Sequence, residues 1–170
     1  KFEFVMGEDE DSGEPRIFTV TERVHGKNLR EKQFSRRETG RAGAVLDELY
    51  TGLARYLFEK YQTKTSWLRD PLSGNFQYVY GHRSETKEDW PYLVDLDYHA
   101  STLADPIKED SDNWTKFFLD VTTLGDMIKQ SEQKLGDQVF SGARRELNTL
   151  VDALPGDLPA SLLIEHLRRS

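Results

Sequence analysis

Ser66-Trp67-Leu68-Arg69-Asp70-Pro71-Leu72-Ser73-Gly74-Asn75 closes one hydrophobic pattern with a proline and opens another of different period. Upstream, Val45, Leu46, Leu49, Tyr50, Leu53, Leu57 and Tyr61 fall at helical spacings, while Asp47, Glu48, Arg55, Glu59 and Lys60 take the other side. That stripe predicts an amphipathic helix over 42–62. Downstream, Asn75-Phe76-Gln77-Tyr78-Val79-Tyr80 reads as a strand, the polar 81–89 segment as a turn, and the apolar run to Val94 as the return strand, followed by Asp95-Leu96-Asp97. The hairpin starts at an amide, Asn75, and ends at a carboxylate, Asp95. Chain reversal brings the two together.

Working outward, Phe2 to Met6 and the β-branched Arg16 to Glu22 read as two strands of an antiparallel hairpin around the acidic turn Glu8 to Glu14. That turn lacks the ligand spacing of a calcium loop and reads as solvated. After Glu22 the chain is expected to leave the strand through Val24-His25-Gly26, and a short helix is expected near Leu29. From Trp114, the residues Phe117, Phe118, Val121, Leu124, Gly125 and Ile128 share a helical face. A second such face runs through Val139, Ala143, Leu147, Leu150, Val151 and Leu154 to the stop at Pro155-Gly156, and a last short helix is expected over 158–169.

Composition narrows the class. The 170 residues suffice for one core, and the balance of charged (31%) and apolar (36%) residues is that of a folding chain. A net charge of −7 gives no broad reason to bind nucleic acid or an anionic membrane surface. No apolar run approaches the roughly 18 residues that span a bilayer, so a cytoplasmic protein without a membrane partner is expected. The absence of cysteine removes disulfides, thiolate metal sites and a thiol nucleophile. His25, His82, His99 and His166 lie in different segments without metal-ligand spacing and read as solvated or capping residues.

Taken singly, Asp70 and Asn75 are also ordinary turn residues, Asp95 an ordinary strand end, and Thr21 to Gly26 an ordinary strand and turn. Their order carries more. A striped helix, Arg69-Asp70 with four residues to Asn75, and a hairpin ending at Asp95 together resemble the C-lobe of the protein-kinase-like fold. Thr21-Glu22-Arg23-Val24-His25-Gly26-Lys27-Asn28-Leu29 resembles that fold's interlobe hinge. Leu119-Asp120-Val121-Thr122-Thr123-Leu124-Gly125 resembles the start of its buried central helix, whose aspartate anchors the catalytic loop; read locally, Asp120 is instead a first-turn residue facing its own helix dipole.

The resemblance implies an α+β, mainly α-helical protein: a kinase-like C-lobe with a short N-terminal β-hairpin and a catalytic-loop β-hairpin. Residues 1–24 correspond to the last N-lobe strands and hinge, and 25–170 to the C-lobe. It implies an ATP- and Mg2+-dependent phosphotransferase in which Asp70 orients the acceptor hydroxyl and Asn75 and Asp95 hold magnesium. Asp97 is a further carboxylate for the metal, and backbone groups of Glu22 and Val24 meet the adenine. The phosphoryl acceptor is unidentified.

The pattern also departs from the family. Leu68 replaces the catalytic-loop histidine, Leu72 replaces a lysine, and Asp97 stands at a glycine position, as in aminoglycoside and choline phosphotransferase relatives. Leu103-Ala104-Asp105-Pro106 is a poor match to the anchor after the activation segment, and no Gly-rich loop or strand lysine precedes residue 16. A missing N-lobe or upstream segment is therefore the expected partner, and the isolated chain is expected to be inactive. The alternative is a pseudokinase or interaction module that keeps the fold without catalysis.

Overall fold

The computed structural model describes residues 2–9, 11–21, 23–68, 78–83, 88–93, 100–102 and 112–154. Among them the architecture is α+β and mainly helical, with the helices α1 (Thr39–Thr63), α2 (Asp112–Lys134) and α3 (Ser141–Ala153). The apolar stripe of α1 buries Leu46, Tyr50, Ala54 and Leu57 against α2 and α3. Full burial of each such large side chain is worth about 1.5–3 kcal/mol. The helix stops at Lys64, whose left-handed backbone (φ 54°) forms the C-cap.

The N-terminus of α3 is completed by neighbours rather than by a local capping residue. The first amides of α3 have no side-chain cap of their own. Asp47 of α1 accepts from the Ala143 amide (2.7 Å), and Glu132 of α2 accepts from the Phe140 amide (2.7 Å). Two carboxylates at a helix N-terminus satisfy orphan donors and oppose its positive end. Asp47, expected on the outer face of its helix, is thus a half-buried tie between helices.

The strands are β1 (Phe2–Glu8), β2 (Pro15–Thr21), β3 (Val24–Asn28), β4 (Ser66–Leu68), β5 (Tyr78–Arg83), β6 (Trp90–Leu93) and β7 (Ala100–Thr102). They form three antiparallel sheets, ordered β1-β2, β3-β5-β6 and β4-β7. The expected N-terminal hairpin is present, and Asp9 organises its turn by accepting from the Ser12 amide (2.9 Å) ahead of Gly13 at φ +67°.

Several expectations are corrected. Val24 to Gly26 is not a turn: after β2 the chain enters a second sheet, where these residues open β3, laid along β5 with Gly26 opposite Gly81. A Cβ at either glycine would overlap backbone atoms of the facing strand, so this approach is open only to glycine. No helix forms near Leu29; the chain turns there and is held when Lys134 Nζ donates to the carbonyls of Leu29 (3.0 Å) and Arg30. Val139 is exposed, and its neighbour Phe140 fills the core instead. Strands β4 and β7 are three residues each, too short for alternation to betray them. The helix expected over 158–169 lies outside the described residues.

Candidate functional site

Asp70, Asn75, Asp95, Asp97 and Glu22 lie outside the described residues, whereas the chain leading to and from them does not. Strand β4 ends two residues before Asp70, and β7 begins three residues after Asp97. Strand β5 begins three residues after Asn75, and β6 ends two residues before Asp95. Register pairs join these four ends in twos: Leu68 faces Ala100, and Tyr78 faces Leu93. Segments 69–77 and 94–99 therefore depart from the same two pairs of strand ends.

Beneath β4 lies a fully buried polar contact. Asp120 is 0% exposed and accepts from the indole of Trp67, itself 1% exposed, at 2.8 Å. It sits in the body of α2 (Asp112–Lys134), which overturns both the placing of Leu119–Gly125 at the start of that helix and the reading of Asp120 as a first-turn residue facing its own helix dipole. The contact spans 53 residues of sequence and ties β4 to α2. Phe117 packs its ring edge-on to Trp67 (5.5 Å), and the Leu68 amide donates to Tyr56 Oη of α1 (2.8 Å). The approach to Asp70 is thus fixed by a carboxylate from α2 and a phenol from α1. Sequence periodicity pointed to neither Trp67 nor Tyr56 as a polar partner; the signal available was an aspartate at a core position of α2.

Val24, the other expected site residue among those described, is half-buried at the start of β3 and faces Arg83 in register. A cavity of about 210 Å³ opens beside the hairpin, lined by Arg37, Glu38, Arg41, Tyr80, Glu88 and Asp89. Its charges are largely satisfied internally. Arg41 pairs with Glu88 (2.7 Å), and hydrogen bonds from Lys32 and then Ser35 hold the Glu38 carboxyl down at about 2.

Among the described residues, no three metal-ligating side chains converge, and no helix is long and apolar enough to cross a membrane. His25 and His82, distant in sequence, do come together: their rings stack at 5.9 Å, and Asp89 lies 3.1 Å from His82. Comparison with protein families, with curated proteins and with solved structures returns no match.

Proposed function

We propose that the protein is a kinase-like, ATP- and Mg2+-dependent phosphotransferase, with residues 25–170 as its C-lobe. In this reading Asp70 orients an acceptor hydroxyl for in-line attack, Asn75 and Asp95 hold magnesium, Asp97 adds a further carboxylate, and the backbone at Glu22 and Val24 meets the adenine. Magnesium needs few protein ligands because water and phosphate oxygens complete its sphere. Catalysis of this kind is mostly positioning and charge stabilisation, which demands a rigid frame.

The observation that carries the proposal is the frame itself. Buried Asp120, in the body of α2, holds Trp67 in the strand just before Asp70, and β4–β7 and β5–β6 join the ends of the two acid-bearing segments. An aspartate of α2 that secures the strand before Asp70, here through the Trp67 side chain, supports the reading of that region as a braced catalytic loop. The test is a thermal-shift titration of the full natural gene product with Mg-ATP, followed by Asp70→Asn. Nucleotide binding with product formation lost in Asp70→Asn is the expected result, and failure to bind Mg-ATP at all would sink the reading.

A pseudokinase is the second reading, favoured by Leu68. At that position the backbone amide is held by Tyr56 rather than through a histidine side chain. Unchanged Mg-ATP binding with no phosphorylated product in the parent protein would select it.

A further inference from the structure

Strands β3 and β5 put His25 directly opposite His82. Both side chains are exposed, and their ring centres lie 5.9 Å apart with planes inclined by 25°. The backbone below them is fixed by the neighbouring Gly26 and Gly81, whose close approach admits no side chain. Asp89 Oδ1 stands 3.1 Å from His82 Nδ1. A carboxylate only accepts, so the proton of a neutral His82 ring resides on Nδ1 and the Nε2 lone pair is left as a donor to a Lewis acid. A carboxylate behind one ring nitrogen is how metal-binding imidazoles are oriented.

We propose that His25 and His82 bind one divalent late transition-metal ion of the zinc or nickel class across β3 and β5. Asp89 is the positioning residue behind His82. With metal–nitrogen bonds of about 2.0–2.1 Å at a tetrahedral angle, two ligating ring centres lie roughly 5 Å apart. The observed separation of 5.9 Å is slightly wider, and rotation of two exposed side chains closes it and adjusts the ring planes. No third side chain among the described residues joins the pair, so water completes the sphere. Imidazole favours zinc, copper and nickel over magnesium, which separates this site from the oxygen-ligand site proposed for catalysis. The bound ion clips β3 to β5.

The experiment is a calorimetric titration of chelator-treated protein with zinc chloride, with the thermal midpoint read in parallel. One equivalent of zinc is expected to bind and to raise the midpoint. His25→Gln and His82→Gln are each expected to weaken binding by at least about tenfold, and Asp89→Asn by about tenfold with stoichiometry retained. His166→Gln is expected to bind as the parent does. Because a folding defect in the glutamine variants would also weaken binding, nickel-induced broadening of the histidine signals is read in the parent protein, and those of His25 and His82 are expected to vanish first. Absence of zinc binding, undiminished binding in both glutamine variants, or first broadening at His99 or His166 overturns the proposal.

Discussion

Among the described residues two aspartates accept a hydrogen bond from an aromatic ring nitrogen, and they do different work. Asp120 takes the Trp67 indole at 2.8 Å with both residues sealed in the core. Asp89 takes His82 at 3.1 Å on a surface open to water. Water competes for the second contact and cannot reach the first, so the buried contact fixes architecture and the exposed one orients a ring. The difference lies in burial more than in bond length.

Removal of the buried member should have the largest effect. Asp120→Ala leaves the only donor of the Trp67 side chain without a partner inside the core, at an expected cost of about 2–3 kcal/mol. Urea unfolding measures it, and a loss below about 0.5 kcal/mol, the size typical of surface changes, would deny Asp120 its role as anchor of β4. Under the proposed phosphotransferase reading, the same variant should reduce phosphoryl transfer in the full gene product more than Mg-ATP affinity, because it loosens the strand before Asp70.

Next comes the glycine pair under the histidines. Gly81→Ala drives a methyl group into the backbone of β3 at His25 and Gly26. Overpacking of this kind costs about 1–3 kcal/mol, here with β3 the first element to separate in hydrogen exchange. Gly52→Ala is the contrasting control: it lies on the exposed side of α1 with nothing near the added methyl. An exposed helix interior gains up to about 1 kcal/mol from that change, so stabilisation by both alanines would refute the close-approach argument.

A third, smaller effect depends on pH. Burial alone would raise Glu132, but hydrogen bonds from Arg144 and from the Phe140 amide outweigh it and leave its carboxyl below the usual range. A depressed folded value means this stabilisation is fully present above the unfolded value, near pH 4.5, and is lost as pH falls through the folded one. Glu132→Gln should cost about 1–2 kcal/mol at neutral pH, and the gap from the parent should close with acidification. A gap that widened in acid would contradict the assignment.

The same contrast explains what could be read from the chain. The stripes of α1 and α2 were legible because helical burial repeats over several turns, and Leu46, Tyr50, Phe117 and Leu124 all fall on the buried side. Strand β3 was not legible: Gly26 and Lys27 break any alternation, and what makes it a strand is a second glycine 55 positions away in the facing strand, Gly81. Strands β4 and β7 were hidden by their length and are secured by Trp67 through a partner on another helix. For the candidate site, the sequence supplied the order of Asp70, Asn75 and Asp95. The pairing of the chain ends around them depends on long-range contacts that no local pattern encodes. The histidine pair was invisible for the same reason, since its members meet only through strand register.

The smallest expected effect falls on the exposed aspartate, and its smallness is informative. Asp89 and His82 are both partly solvated, so their contact is worth little to folding. Asp89→Asn should change stability by no more than about 0.5 kcal/mol, since an amide oxygen still accepts from His82 Nδ1 and only the charge is lost. The same change removes the negative charge that makes His82 a better ligand, so zinc affinity should fall while the urea midpoint stays in place. Equal losses in both measurements would mean that Asp89 supports the hairpin and not the ring. A loss confined to zinc affinity would instead separate, within one residue, the positioning role at the surface from the structural role that Asp120 plays below.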